Sequence, residues 1–307
     1  MADAVRVSAV TPAWNRARYL PECLESVLAQ DLPGVEHCIV DDGSTDDTPA
    51  VLERYAARHP DRVRWRRQAN AGQSAAWNAC LAMARGEFVA FLDSDDAWLP
   101  GKLRRQVPLL DADPRAGLLY SAVEYMDVEG NPSPVRQSRR GTPSGWILPH
   151  LLGHNVMNTG SVVVRASLLR AAGPFDARYV SVNDWDMWLR VCLDTRVIYD
   201  PTPSCRMRRH AGQIIADRAK MDASWVRLLE DNLLRLRGRA PEHLPRARRA
   251  LARHYLRRIR RALREGRGDD ARTEAARAVE LDPTVRPSLV VLRLQAGFRR
   301  ALRGGRA

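Results

Sequence analysis

The sequence predicts an α/β domain built on a largely parallel sheet, followed by a helical C-terminal extension. Three observations carry this expectation. Short β-branched runs alternate with runs of helical period from Val5 to Leu92. Successive apolar runs stop abruptly in polar, Asp-rich segments. Past residue 215 the chain turns to Arg, Ala and Leu, which favour helix.

The elements follow in order. Val5–Val10 alternates and reads as a strand, broken by Thr11-Pro-Ala-Trp-Asn15. Tyr19–Gln30 sets Leu20, Cys23, Leu24, Val27 and Leu28 at helical spacing. His37–Val40 is a second strand that runs into Asp41-Asp-Gly-Ser-Thr-Asp-Asp-Thr48, a loop and helix-start signal. Thr48–Arg58 reads as helix, Val63–Trp65 as a short strand, Gln73–Ala84 as helix and Phe88–Leu92 as a buried strand. Strands alternating with helices predict a parallel sheet whose ligands bind at the carboxyl ends of the strands. Thr11–Asn15, Asp41–Asp47 and Asp93–Asp96 would then converge on one crevice. Further on, Gly117–Val123 and Val162–Arg165 read as strands, and Asn131–Gly145 as a loop rich in Pro, Ser, Gly and Arg. Arg237-Gly-Arg-Ala-Pro241 and Glu265-Gly-Arg-Gly268 punctuate the helical tail.

Composition narrows the class. The chain of 307 residues is 45% hydrophobic, enough for a real core, and holds no run of 18 apolar residues that would cross a membrane. No signal-peptide pattern is visible at the start, and Cys23, Cys38, Cys80, Cys192 and Cys205 form no C-x-x-C pair, so free thiols in a cytoplasmic setting are expected. Charge divides the chain. Residues 1–215 carry 25 Lys and Arg against 25 Asp and Glu, whereas residues 216–307 carry 24 against 11 and so hold the whole formal charge of +13. A neutral body of residues 1–215 with a basic tail of residues 216–307 is the expected division. The tail is read either as an Arg-rich solvated helix face or as a surface for an anionic partner, such as the inner face of the cell membrane. Nucleic acid is not expected.

The segment after Phe88–Leu92 holds the densest chemistry. Asp93, Asp95 and Asp96 follow the apolar run directly, and no Lys or Arg lies between Gly86 and Gly101. Buried carboxylates are costly unless something positive pairs with them. A divalent metal carrying a phosphate ligand would supply that charge, since Mg²⁺ and Mn²⁺ are held by one or two carboxylates plus substrate phosphates. A polar turn with Asp96 capping the next segment is the alternative.

Val10-Thr-Pro-Ala-Trp-Asn15, Val40-Asp-Asp-Gly-Ser-Thr-Asp-Asp-Thr48, Asn70-Ala-Gly72, Gly86-Glu-Phe-Val-Ala-Phe-Leu-Asp-Ser-Asp-Asp96 and Asn183-Asp-Trp-Asp-Met-Trp-Leu-Arg190 occur in this order. Together they resemble glycosyltransferase family two, the inverting enzymes of the GT-A fold, over roughly residues 5–212. The resemblance implies an αβα sandwich around a mostly parallel mixed sheet, a nucleotide-sugar donor linked to UDP, dTDP or GDP, and Mn²⁺ or Mg²⁺. It implies that Asp42 receives the nucleotide base, that Thr11 and Pro12 shape the floor beneath it, and that Asn15, Asn70 and Gly72 belong to the same site. Asp93 would face the ribose or sugar and Asp95 would bind the metal. Asp184 would be the catalytic base, with Asp186 a competing candidate. Asn183 stands where the family has Glu. Arg206-Met-Arg-Arg-His-Ala-Gly212 resembles the family's closing segment, which makes His210 a metal or diphosphate ligand and Arg208 a phosphate partner; Gln213-Ile-Ile215 departs from the pattern.

The implied activity is transfer of a hexosyl-type sugar to an acceptor hydroxyl of a glycan or lipid-linked acceptor in polysaccharide, glycolipid or envelope synthesis. The alternatives are a sugar nucleotidyltransferase, which would want a Gly-rich phosphate loop that Thr11–Asn15 lacks, and a non-catalytic member of the fold that binds through its basic tail. Residues 254–283 loosely resemble one helical hairpin of tetratricopeptide type, and Ser288–Phe298 reads as an amphipathic helix that either packs on the core or lies at an interface.

Overall fold

The computed structural model describes residues 4–133, 142–179, 181–210 and 218–292. Two compact units are present: one of Met1–Leu151, Asn155–Arg178 and Asn183–Ala216, the other of Leu152–His154, Tyr179–Val182 and Asp217–Ala307.

The first unit is built on a seven-stranded sheet ordered β3-β2-β1-β4-β8-β6-β9. These strands are β1 (Val7–Ala13), β2 (Val35–Asp41), β3 (Val63–Arg67), β4 (Phe88–Phe91), β6 (Ala116–Ser121), β8 (Val163–Arg165) and β9 (Arg196–Asp200). Only β8 runs against its neighbours β4 and β6, so the sheet is mixed but mostly parallel. Helices cover both faces. On one, Leu20, Cys23 and Leu24 of α1 (Leu20–Leu28), Leu52 of α2 (Thr48–Arg58) and Leu103, Val107 and Leu110 of α4 (Lys102–Ala112) bury against Val7, Ala9, Phe88 and Ala90. On the other, Trp77 of α3 (Gln73–Met83) and Trp188 of α7 (Asn183–Val191) each meet Phe91 edge-on at 5.2 Å. Alternation along β4 sends Phe88 and Ala90 to one face and Phe91 to the other. This is the expected αβα sandwich.

The break expected at Thr11 moves. β1 does not break at Thr11 but continues through Pro12 to Ala13, in register with Val40 and Asp41 of β2. Leu92 N–H donates to the Val10 carbonyl, so Val10 and Pro12 turn their backbone groups toward β4. The β1–β4 pairing ends at Val10 opposite Phe91, and the N–H that Pro12 lacks has no ladder partner to lose.

A second, small sheet is absent from the sequence reading. β10 (Cys205–Arg208) pairs antiparallel with β5 (Ala97–Trp98) and parallel with β7 (Glu124–Met126). It carries residues 205–210 back against the segment that follows β4. The remaining helices of this unit are α5 (Leu148–Leu151) and α6 (Ala166–Ala172). Most of the loop Asn131–Gly145, and all of Gln213–Ile215, lie outside the described residues.

The second unit is helical: α8 (Arg218–Arg239), α9 (Leu244–Arg264) and α10 (Gly268–Leu281). The hairpin expected over 254–283 is α9 and α10, joined at Glu265–Arg267, with α9 beginning ten residues before the expected start. Pro241 and Gly266 mark the two breaks, whereas Gly238 stays inside α8. Tyr179 Oη donates to Asp231 at 2.6 Å and Tyr255 Oη to Glu230 at 2.8 Å. Ser288–Phe298 is described only as far as residue 292. Among the described residues no helix is long and apolar enough to cross a membrane.

Candidate active site

β1, β2, β3 and β4 are parallel, so their carboxyl ends open on one edge of the sheet, and the polar segments at those ends lie together. Side chains brace them. Asn15 takes a left-handed backbone, φ +52°, which Asn tolerates better than most residues. Its N–H donates to Ser44 Oγ at 2.8 Å, and its Oδ1 accepts from Thr45 N–H at 2.8 Å. Asp42 holds the loop after β3: Oδ1 accepts from Gln68 Nε2 at 2.7 Å and Ala71 N–H at 3.0 Å, and Oδ2 from Gly72 N–H at 2.9 Å. Asn70 Nδ2 donates to the Asp42 carbonyl at 2.9 Å. Gly43, at φ +74°, lies so near the Asn70 backbone that a Cβ would be 2.7 Å from its nitrogen, so only glycine fits there. Asp41 points inward to Ser44 N–H and the Arg67 guanidinium, each at 3.1 Å.

The acids after β4 form the centre. Asp95 Oδ2 lies 2.8 Å from His210 Nε2 and 3.4 Å from Arg16 Nε. The His210 ring stacks on Tyr19, centroids 5.4 Å apart. Asp96 Oδ1 accepts Arg208 N–H at 2.8 Å. Burial, reinforced by the charges of Asp95 and Asp184, pushes the Asp93 carboxyl up to about 7, and Arg16 opposes the shift. Burial, then the charges of Asp93 and Asp95, also raises Asp96. The pocket is therefore overcharged with carboxylates and favours a cation.

Asp184 opens α7 and joins this cluster. Its Oδ1 accepts Trp185 N–H at 2.7 Å; its Oδ2 accepts Asn155 Nδ2 at 2.9 Å and Thr159 Oγ1 at 3.3 Å. Burial raises its carboxyl to about 6, with those three donors pulling the other way. Asn183 accepts Asp184 N–H at 3.0 Å and donates to Ser74 Oγ at 3.1 Å, which ties the start of α7 to α3. Asp186 turns away from the crevice. It is buried against Arg190 at 2.7 Å, and that guanidinium also reaches the carbonyls of Ala172, Gly173 and Pro174.

The structure places the residues expected from sequence in different surroundings. Asp93, Asp95, Asp184 and His210 come together. Thr11 is fully buried, and its hydroxyl meets His37 Nε2 at 2.9 Å, so its side chain is interior; Pro12 beside it is buried too. Arg208 is enclosed. Its guanidinium donates to the carbonyls of Asp95 at 3.0 Å and of Asp127 and Val128 at 3.1 Å, and to Glu22, which makes it a brace rather than an open phosphate partner. The premise that no positive group answers the acids holds only along the chain: Arg16, from the end of β1, does so across the crevice. Arg16, Asn155 and Thr159 were not singled out from sequence. The one available signal was that Arg16 directly follows the Thr11–Asn15 segment.

Asp95 and His210 offer one oxygen and one nitrogen in contact with each other. Among the described residues no group of three His, Cys, Asp or Glu side chains is arranged as a closed metal cage. Two protein ligands, with phosphate oxygens completing the shell, fit the way Mn²⁺ or Mg²⁺ is bound with nucleotides.

The mostly parallel mixed sheet, with helices on both faces and an acidic crevice at its strand ends, is the architecture of the GT-A fold. The sequence profile described as glycosyl transferase family 2 matches residues 8–169, and the chain belongs to that family. It is 33% identical over 199 residues to an uncharacterized glycosyltransferase of Nostoc sp., covering 62% of this chain and 58% of the relative. A stretch of 125 residues is 38% identical to chondroitin synthase of Escherichia coli, covering 41% of this chain and 18% of the relative. The chain thus spans less than two thirds of the length of these curated relatives. Among solved structures, it resembles residues 1–349 of S. aureus TarS in complex with UDP-GlcNAc, with a TM-score of 0.63, 20% identity and coverage of 88% of this chain and 90% of that one. It also resembles a mannosyltransferase from Pyrobaculum calidifontis in complex with GDP-Man and Mn²⁺, with a TM-score of 0.65, 22% identity and coverage of 97% and 80%. At these identities the structural likeness concerns the fold.

Proposed function

We propose that the protein is an inverting glycosyltransferase that moves a sugar from a nucleoside-diphosphate donor to an acceptor hydroxyl in a divalent-metal-dependent reaction. The observation that supports this best is that Asp184, at the start of α7, lies near enough to Asp93 for their charges to interact, as Asp95 does, so a proton acceptor stands beside the acids that follow β4. Donor nucleotide lies over the strand ends, against Asn15, Asp42, Asn70 and Gly72. Asp42 Oδ2 carries one hydrogen bond and keeps a lone pair for a base N–H. Asp93 faces the ribose or sugar. Asp95 and His210 would hold the cation, which would supply positive charge for the leaving diphosphate.

Asp184 takes the acceptor proton as the acceptor oxygen attacks the anomeric carbon. The new C–O bond forms as the bond to the diphosphate breaks, the electron pair leaves with the diphosphate, and the anomeric centre inverts once. A carboxyl near 6 is ionised at neutral pH yet basic enough to accept that proton. Asp186, locked to Arg190, is not available for the task. Donors linked to UDP, dTDP or GDP, and a glycan or lipid-linked acceptor, are the substrates to test.

The test is release of nucleoside diphosphate by the purified chain with Mn²⁺ or Mg²⁺ and a panel of sugar nucleotides, with and without acceptor glycans. Asp184→Asn should keep donor binding and lower turnover by about 10²-fold or more. Asp95→Asn should remove the metal dependence of nucleotide binding. Full turnover in Asp184→Asn would refute the base assignment. Pyrophosphate release from a nucleoside triphosphate and a sugar phosphate would point instead to a nucleotidyltransferase.

A further inference from the structure

The second unit carries a charge pattern that the proposed reaction does not use. α9 contains no Asp or Glu between Leu244 and Arg264. Its Ala247, Ala250, Leu251, His254, Tyr255, Ile259 and Ala262 are buried. Arg246, Arg249, Arg253, Arg257, Arg260 and Arg264 recur every three or four residues and are exposed. At 100° per residue these six lie within an arc of about 80°, in a line about 27 Å long. Arg249 reaches Asp282 at 3.6 Å, and Arg257 lies 5.4 Å over the Trp225 ring. The same Asp282 carboxylate also feels the charge of Arg253, whereas Arg246, Arg260 and Arg264 are in no ion pair among the described residues.

Asp282 answers this face only beside Arg249 and Arg253; the other like charges along it repel one another, which disfavours the fold unless an anionic partner answers them. Phosphate presented on a flat surface can meet the whole line at once. The same unit exposes Val290 and Val291, 57% and 51% accessible, which have no part in a contact with phosphates alone but gain free energy at the boundary between headgroups and acyl chains.

We infer that the arginine face of α9 is a docking surface for an anionic lipid bilayer. Binding is peripheral and reversible, carried by charge and sensitive to salt.

The experiment is co-sedimentation of the full chain with vesicles of phosphatidylcholine alone or with about 30% phosphatidylglycerol, at low and high salt. The chain should pellet with the anionic vesicles at low salt only. The triple change Arg253→Gln, Arg260→Gln, Arg264→Gln should weaken partitioning by about 10²-fold, from the worth of three basic side chains near an anionic surface. The matched change Arg248→Gln, Arg272→Gln, Arg286→Gln removes the same charge elsewhere in the unit and should weaken it far less. Replacing the same three stripe arginines by Lys should keep binding. Thermal melts establish that each variant is folded. Equal losses in the two glutamine triples, equal pelleting with neutral vesicles, or capture by nucleic acid or a soluble acidic glycan without vesicle binding would each overturn the inference.

Discussion

Removing the amide that holds Asp184 should move the pH dependence of turnover. In Asn155→Ala the bond from Asn155 Nδ2 to Asp184 Oδ2, 2.9 Å long, is lost. A hydrogen bond to a charged acceptor contributes about 1.5–3 kcal/mol, and one pKa unit corresponds to about 1.4 kcal/mol. Thr159 at 3.3 Å and Trp185 N–H at 2.7 Å remain, and water can enter the vacated space, so the lower end applies, roughly one unit. The carboxyl, held near 6 in the parent, should then titrate near 7. In the proposed role the ionised form of Asp184 is the base, so activity should rise with pH through that value. At pH 6 about half of the parent's base is ionised, against about a tenth in the variant, so turnover should fall about five-fold there. Above about pH 8.5 the two enzymes should converge. Release of nucleoside diphosphate at saturating donor and acceptor, followed from about pH 5 to 9, reads this directly. An equal drop at every pH, with an unmoved acid limb, would refute the reasoning and leave Asn155 as an acceptor-binding or packing residue.

Other changes separate chemistry from architecture. Asp186→Asn breaks the buried pair with Arg190 and should cost about 3–5 kcal/mol in denaturant unfolding, while the folded fraction keeps near-parental kcat. Asp42→Asn turns one acceptor of the 68–72 loop into a donor facing an N–H; a loss of about 3 kcal/mol and weakened nucleotide affinity by calorimetry are expected, since charge-assisted bonds are lost and a buried N–H is left unmet. Lys102 is enclosed by Gln106, the Ser161 carbonyl and Ser204, and burial lowers it from 10.5 to about 7. Between those values the unfolded chain holds a proton that the folded chain does not, so this group's contribution to stability rises with pH, by up to about 1.4 kcal/mol per unit. Lys102→Met should flatten that rise in urea titrations, and an unchanged slope would contradict the assignment.

Much of the sheet and its cover could be read along the chain. The helix over Thr48–Arg58 and the strands starting at Val63 and Phe88 appear where periodicity put them, because each is set by local alternation of apolar and polar residues. The end of β4 was visible for the same reason, since its apolar run stops where the carboxylates begin; β1 and β2 instead run on through Ala13 and Asp41, past the expected breaks. The two-to-four-residue strands β5, β7 and β10 were not visible. They are too short to show a period, and their pairing is chosen by the fold around them.

That pairing decides which polar groups meet. Arg16 answers Asp95 across a crevice, His210 arrives on the strand that returns after residue 205, and Asn155 reaches Asp184 from the preceding loop. The same packing turns Thr11 into the interior and closes Arg208 among carbonyls, although both stand in segments that look exposed when read as a line. Local order along the chain determined the longer elements, the strand-end acids and the asymmetry of charge, because these depend on neighbours a few residues apart. Only the tertiary structure decided which side chains face the crevice and how their charges shift, because burial and Coulomb interactions depend on distance in space, and partners such as Asp95 and His210 stand 115 residues apart in sequence.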